Sequence, residues 1–172
     1  MHPCAQCASL QKTCCQRAEI LVTDGDIHRI AAHTTAAAAD FVEFRAPADP
    51  AYLEPDDDTN WLRYTVEPDG TRRVLRRREG GDCTFLGEAG CVLPLEVRPL
   101  VCRLYPYSYT ERGIDGYDDD YCPTALLAPP GSGLTMLTVL GMRIDDGRRW
   151  HTMLYAELRA QRDGERQGPP PR

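Results

Sequence analysis

Cys4-Ala5-Gln6-Cys7 and, six residues on, Cys14-Cys15 open the chain, and the reading of these thiols decides the reading of the fold. Two residues between Cys4 and Cys7 allow a tight turn that aims both sulfurs at one metal, about 2.3 Å away in the case of zinc. Thioredoxin-like redox motifs share this spacing, but they normally follow a strand in a βαβ unit, and no strand precedes Cys4. Adjacent residues point in different directions, so Cys14 and Cys15 suit two metals, or two irons of one cluster, better than one tetrahedral ion. Either member also reads as an ordinary buried cysteine.

Four further thiols lie far along the chain. Cys83 and Cys91 flank Gly87-Glu88-Ala89-Gly90, Cys102 follows Arg98-Pro99-Leu100-Val101, and Cys122 precedes Pro123. Glycine and proline beside these cysteines suit backbone that bends sharply around a small inorganic object. The eight cysteines are an even number, as a disulfide scaffold would need. However, they make up about 5% of 172 residues, below the roughly 8–10% of such scaffolds.

The N-terminal residues show neither a basic region nor an unbroken apolar one, and no run approaches the roughly 18 apolar residues of a membrane span. The expectation is a cytoplasmic protein without membrane contact, in a compartment where thiols stay reduced. A net charge of −6 argues against nucleic-acid binding, which favours a basic face. Lys12 is the only lysine, so positive charge rests almost wholly on arginine.

Thr23-Asp24-Gly25-Asp26 predicts a helix start with a capping box, followed by Ile27, Ile30 and Ala31 on one face. A second short helix is predicted over 35–44, with Phe41 and Phe44 inward. Ala46 to Asn60, with Asp56-Asp57-Asp58, reads as a solvated loop. Residues 61–66 and 71–77 read as two strands joined at Glu67-Pro68-Asp69-Gly70. Short strands or turns are predicted around Cys83 and Cys91. Pro94 is expected to open a helical turn at its first position, with Pro99 limiting it. A strand over 105–110 precedes a turn at 112–116. After the Ala128–Gly133 hinge come two helices, the second carrying Trp150, Met153, Leu154 and Leu158 at helical spacing, for core or partner contact.

Taken together, Cys4-x-x-Cys7, Cys14-Cys15, Cys83-Thr84-Phe85-Leu86, Gly90-Cys91 and Arg98-Pro99-x-x-Cys102-Arg103-x-Tyr105-Pro106 resemble the YkgJ-type cysteine-cluster family, described as chelating zinc or iron. Thr23-x-x-Asp26-Ile27 fits the same pattern. The resemblance spans roughly residues 4 to 122. It implies metal chelation by Cys4, Cys7, Cys14, Cys15, Cys83, Cys91, Cys102 and Cys122. It does not imply a reaction, and whether the chain is an enzyme stays open.

The expected fold is α+β. It comprises a small irregular cysteine-rich metal-binding domain with a short antiparallel β-hairpin (1–127), a C-terminal helical extension (134–162) and a disordered tail (163–172). The irregular spacings favour an iron–sulfur cluster, of 4Fe–4S type, over zinc. Arg98 and Arg103 bracket Cys102 and are expected to donate to thiolate sulfurs; the alternative for each is an ion pair with Glu96 or Asp118-Asp119-Asp120. The expected function is redox or metal handling. The alternatives are an iron–sulfur-assisted modifying enzyme of a protein-methylating kind, or a zinc-stapled module that docks a protein partner through its C-terminal helices.

Overall fold

Thr23 stops an extended segment and starts a helix, as its sequence predicts. The computed structural model describes residues 14–54, 58, 60–117 and 127–167, with side chains through residue 164. Helix α1 is a single turn, Cys14–Arg17. Helix α2 spans Asp24–Thr34. The Thr23 hydroxyl accepts from the Asp26 amide at 3.0 Å, and the Asp26 carboxylate accepts from the Thr23 amide at 3.1 Å. Two of the orphan amides of a helix start are thereby satisfied.

The second predicted helix is shorter than its pattern suggests. Only Ala38–Phe41 is helical (α3), and the next four residues, Val42–Arg45, form strand β1. Phe41 is buried as expected, whereas Phe44 is 57% exposed, with the Arg73 guanidinium 5.4 Å above its ring. The switch from helix to strand turns Phe44 away from the face that Phe41 buries.

The hairpin predicted across Glu67–Gly70 is also corrected. Trp61–Thr65 is helical (α4), and strand β2, Arg72–Leu75, pairs antiparallel with β1, Val42 facing Leu75. The turn itself is made: the Gly70 amide donates to Glu67 O at 2.9 Å and Gly70 has φ +82°. Aromatic and β-branched residues gave 61–66 a strand-like composition. Packing of Trp61 and Tyr64 against Tyr155 decides for a helix instead. On its other side β2 meets the chain after α1: the Leu75 amide donates to Ile20 O at 2.8 Å, and the Val22 amide to Arg73 O at 3.2 Å.

Two small hairpins follow, β3 (Leu86–Gly87) with β4 (Gly90–Cys91), and β5 (Tyr107–Thr110) with β6 (Gly113–Tyr117). Between them, Pro94 caps a 3-10 turn, Leu95–Val97, from outside, and Pro99 follows the end of that turn and caps helix α5, Leu100–Leu104. A proline has no amide to orphan, so it suits the position before either turn.

Helix α6 is Met136–Val139 and helix α7 is Ile144–Gln167. Trp150, Leu154 and Leu158 of α7 are buried with Leu21, Tyr64, Leu100 and Leu104. Their stripe is therefore core. A second cluster holds Ile20, Val22, Ile30, Phe41, Leu75, Cys83 and Leu93. Val101 of α5 packs against both clusters, which makes α5 their common wall.

The expected solvated turn also has a structural residue. Asp58 accepts from the Tyr155 hydroxyl and from the Glu111 amide at 2.9 Å, tying the loop to α7 and the β5–β6 turn. Asp56, Asp57, the run Asp118-Asp119-Asp120 and residues 168–172 lie outside the described residues. No helix among the described residues is long and apolar enough to cross a membrane.

Candidate metal centre

Five of the eight cysteines fall within the described residues, and all five line one cavity of about 390 Å³. Cys14 and Cys15 enter it from α1. Cys83 is held beside them, its amide donating to Cys15 O at 2.8 Å and its residue bridging to Arg77. Cys91 ends β4, paired across the hairpin with Leu86. Cys102 lies in the middle of α5. Residues separated by up to 88 positions thus line one cavity. Cys4, Cys7 and Cys122 lie outside the described residues.

Cys83, Cys91 and Cys102 are free thiols, and no disulfide joins any of the five to another. Burial pushes the Cys83 thiol up to about 11, aided by the neighbouring Cys15 and Cys91 and opposed by the Phe85 amide. Burial likewise raises Cys91, against the pull of the Arg98 charge, and raises Cys102 well above the ordinary thiol range. Each thiol therefore resists ionising in the company of the others. A cation among them reverses that balance, since coordination deprotonates a thiol outright.

The chemistry of the donors fits a thiophilic metal: several sulfurs, few competing oxygens and an apolar surround that includes Ile20, Leu75 and Phe85. Their spacing is looser. Among the described residues, no three or more His, Cys, Asp or Glu side chains are gathered closely enough to hold an ion. The described thiols share a chamber rather than form a closed coordination shell.

Both arginines expected near the sulfurs line the cavity, with different occupations. Arg103 is 2% exposed. Its Nε donates to Arg98 O at 2.7 Å, one Nη to Glu96 O at 2.6 Å, and the other to the Glu96 carboxylate at 3.1 Å. It holds the 94–98 turn against α5. Arg98 donates from Nε to Leu93 O at 2.9 Å, and its charge lies within reach of Cys91.

One residue matters more than its motif suggests. Asp26, read from sequence as half of a capping box, is fully buried and also accepts from the Leu100 amide at 3.0 Å and from an Arg29 Nη at 2.6 Å. Leu100 is the first residue of α5, where Pro99 offers no side-chain cap. Asp26 therefore caps two helices, its own and, across 74 residues, the one that carries Cys102. Arg29 is in turn clasped by Glu157 of α7 at 2.6 Å. The only sequence signal for this was the pairing of Thr23-x-x-Asp26 with the cysteine motifs.

The family model CxxCxxCC, described as "Putative zinc- or iron-chelating domain", matches residues 3–123 of the chain. No curated protein and no solved structure matches it.

Proposed function

The chain belongs to the CxxCxxCC family, and from that premise we propose that its cysteines bind an iron–sulfur cluster that serves redox or metal handling. The observation that carries this reading is the convergence of Cys14, Cys15, Cys83, Cys91 and Cys102 on one apolar cavity. Cys4, Cys7 and Cys122 complete the proposed donor set. A bound cluster supplies one-electron chemistry; the protein holds it in a dry surround that tunes its potential. The irregular spacing of the thiols and the vicinal pair favour a 4Fe–4S cluster over a single zinc, for which two tidy knuckles are usual.

Arg98 acts here by charge. It favours the ionised form of Cys91 and offsets part of the negative charge that several thiolates bring. Arg103 acts by position, fixing the Glu96 turn against α5. Three thiols kept free of disulfides suit work in a reducing compartment such as the cytoplasm.

Purification without oxygen, followed by iron, sulfide and zinc analysis, tests the reading. Iron and inorganic sulfide in equal amounts, with a brown colour, are expected. Stoichiometric zinc without sulfide would replace the cluster with a structural ion and keep the chelation. Protein that retains no metal and whose eight thiols all react with a thiol reagent would overturn both.

A further inference from the structure

The cysteine cavity is lined by more than thiols. Its volume of about 390 Å³ lies in the range of small-molecule pockets, about 300–1,000 Å³. Besides the thiols, its lining includes Leu95, Tyr105, Leu140, Met142 and Trp150, contributed by the 94–98 turn, the segment after α5, the loop between α6 and α7, and α7 itself. Charged side chains in this lining are few. Arg103 has donors from all three guanidinium nitrogens engaged, and Asp146 is paired with Arg149 at 3.5 Å. Arg98 differs: only its Nε is engaged, and neither Nη donates to a described residue. A guanidinium with two open Nη groups in the lining of a largely apolar chamber matches a carboxylate with a hydrocarbon tail.

We propose that this chamber binds a small amphiphilic carboxylate, the Arg98 Nη groups taking the carboxylate and the Leu95–Leu140–Met142–Trp150 wall the hydrocarbon. The proposal rests on the metal-centre reading for its neighbour but not for its own contacts, all of which come from Arg98 and apolar side chains. A ligand so placed lies beside the thiols, where its occupancy governs access of solvent to anything they hold.

Octanoate, with 1-octanol as its uncharged counterpart, is the probe. Calorimetric titration of the full chain, with metal content measured on the same sample, is expected to show one saturable octanoate site. Octanol should bind about tenfold more weakly or worse, the worth of a charge-assisted pair. From hexanoate through decanoate, affinity should rise about fourfold per methylene until the wall is filled. Arg98→Gln should bring octanoate down to the level of octanol. Equal binding of octanol and octanoate to the unaltered chain overturns the proposal, and that comparison needs no variant to fold. Undiminished octanoate affinity in Arg98→Gln overturns it as well. Metal-loaded protein with no octanoate site overturns the chamber alone. Octanoate binding by protein that takes up no metal supports the chamber and sinks the metal reading.

Discussion

Asp26→Ala is the substitution whose consequences follow most directly from the structure. It removes the acceptor for the Thr23 amide, which is half of the α2 capping box and worth about 1 kcal/mol. It also strips the Leu100 amide of its partner in a place where Asp26 itself is fully buried. An orphaned buried amide costs about 1–3 kcal/mol. Arg29 keeps Glu157, so its loss is small. The sum is about 2–4 kcal/mol, against a domain stability of about 5–15 kcal/mol. Urea unfolding of protein kept from oxygen measures it, and the slope should stay that of the unaltered chain while the midpoint falls. Because α5, which carries Cys102, is released at its first amide, the variant should also lose metal to a chelator sooner. Asp26→Asn, which keeps one oxygen acceptor, should fall between the two. A loss below about 1 kcal/mol in the alanine variant would refute the assignment of Asp26 as the cap of two helices.

Cys102→Ser should lower metal content and, with it, stability, since structural zinc sites contribute about 10–16 kcal/mol of apparent folding free energy; full loading with an unchanged melting temperature would count against Cys102 as a ligand. A β-carbon on Gly25 would run into the Glu157 carboxylate, which the Thr23 hydroxyl and Arg29 hold in place. Gly25→Ala should therefore destabilise by about 1–3 kcal/mol, yet stabilise by up to about 1 kcal/mol in a Glu157→Ala background, where only helix propensity remains. Equal effects in both backgrounds by thermal unfolding would remove the contact. Glu19 sets an acid limb. Burial pulls its carboxyl up, but hydrogen bonds from Arg72 and the Ala48 amide and the nearby arginine charges outweigh that and leave it below its ordinary value. A depressed carboxyl contributes stability above its unfolded pKa and loses it as pH falls through the folded one. Unfolding midpoints taken from pH 6 down to pH 3 should fall less steeply in Glu19→Gln, and parallel curves would exclude Glu19 as a source of the acid sensitivity.

What the sequence disclosed were features with short-range causes. The Thr23–Asp26 cap, the turn at Gly70 and the α7 stripe each depend on residues within a few positions of one another. That distant cysteines would share a cavity was expected for a different reason: eight cysteines without a disulfide composition call for a common object, and the five described line one cavity. The misread elements are those in which distant contacts overrule local composition. Residues 61–65 carry aromatic and β-branched side chains yet coil into a helix because Trp61 and Tyr64 meet Tyr155, some ninety residues away. Strand β2 takes β1 as its partner rather than its sequence neighbour for the same reason. The second role of Asp26 and the open Nη groups of Arg98 depend on where α5 and its preceding turn come to rest, which no local pattern encodes.

The position of α5 explains why the site and the C-terminal helix belong to one system. Its Leu100 and Leu104 are fully buried in the cluster built on Trp150, Leu154 and Leu158, while Cys102, between them in sequence, packs with the cluster that lines the thiol cavity. A five-residue helix has too few backbone bonds to hold itself. It is held instead by Asp26 at its first amide, by Arg103 reaching back to Glu96, and by α7 along its apolar side. Any force on the Cys102 sulfur is therefore opposed by contacts from three separate parts of the chain. That arrangement suits the role proposed for Cys102, whose sulfur would have to stay in place although the turns of its own helix cannot hold it.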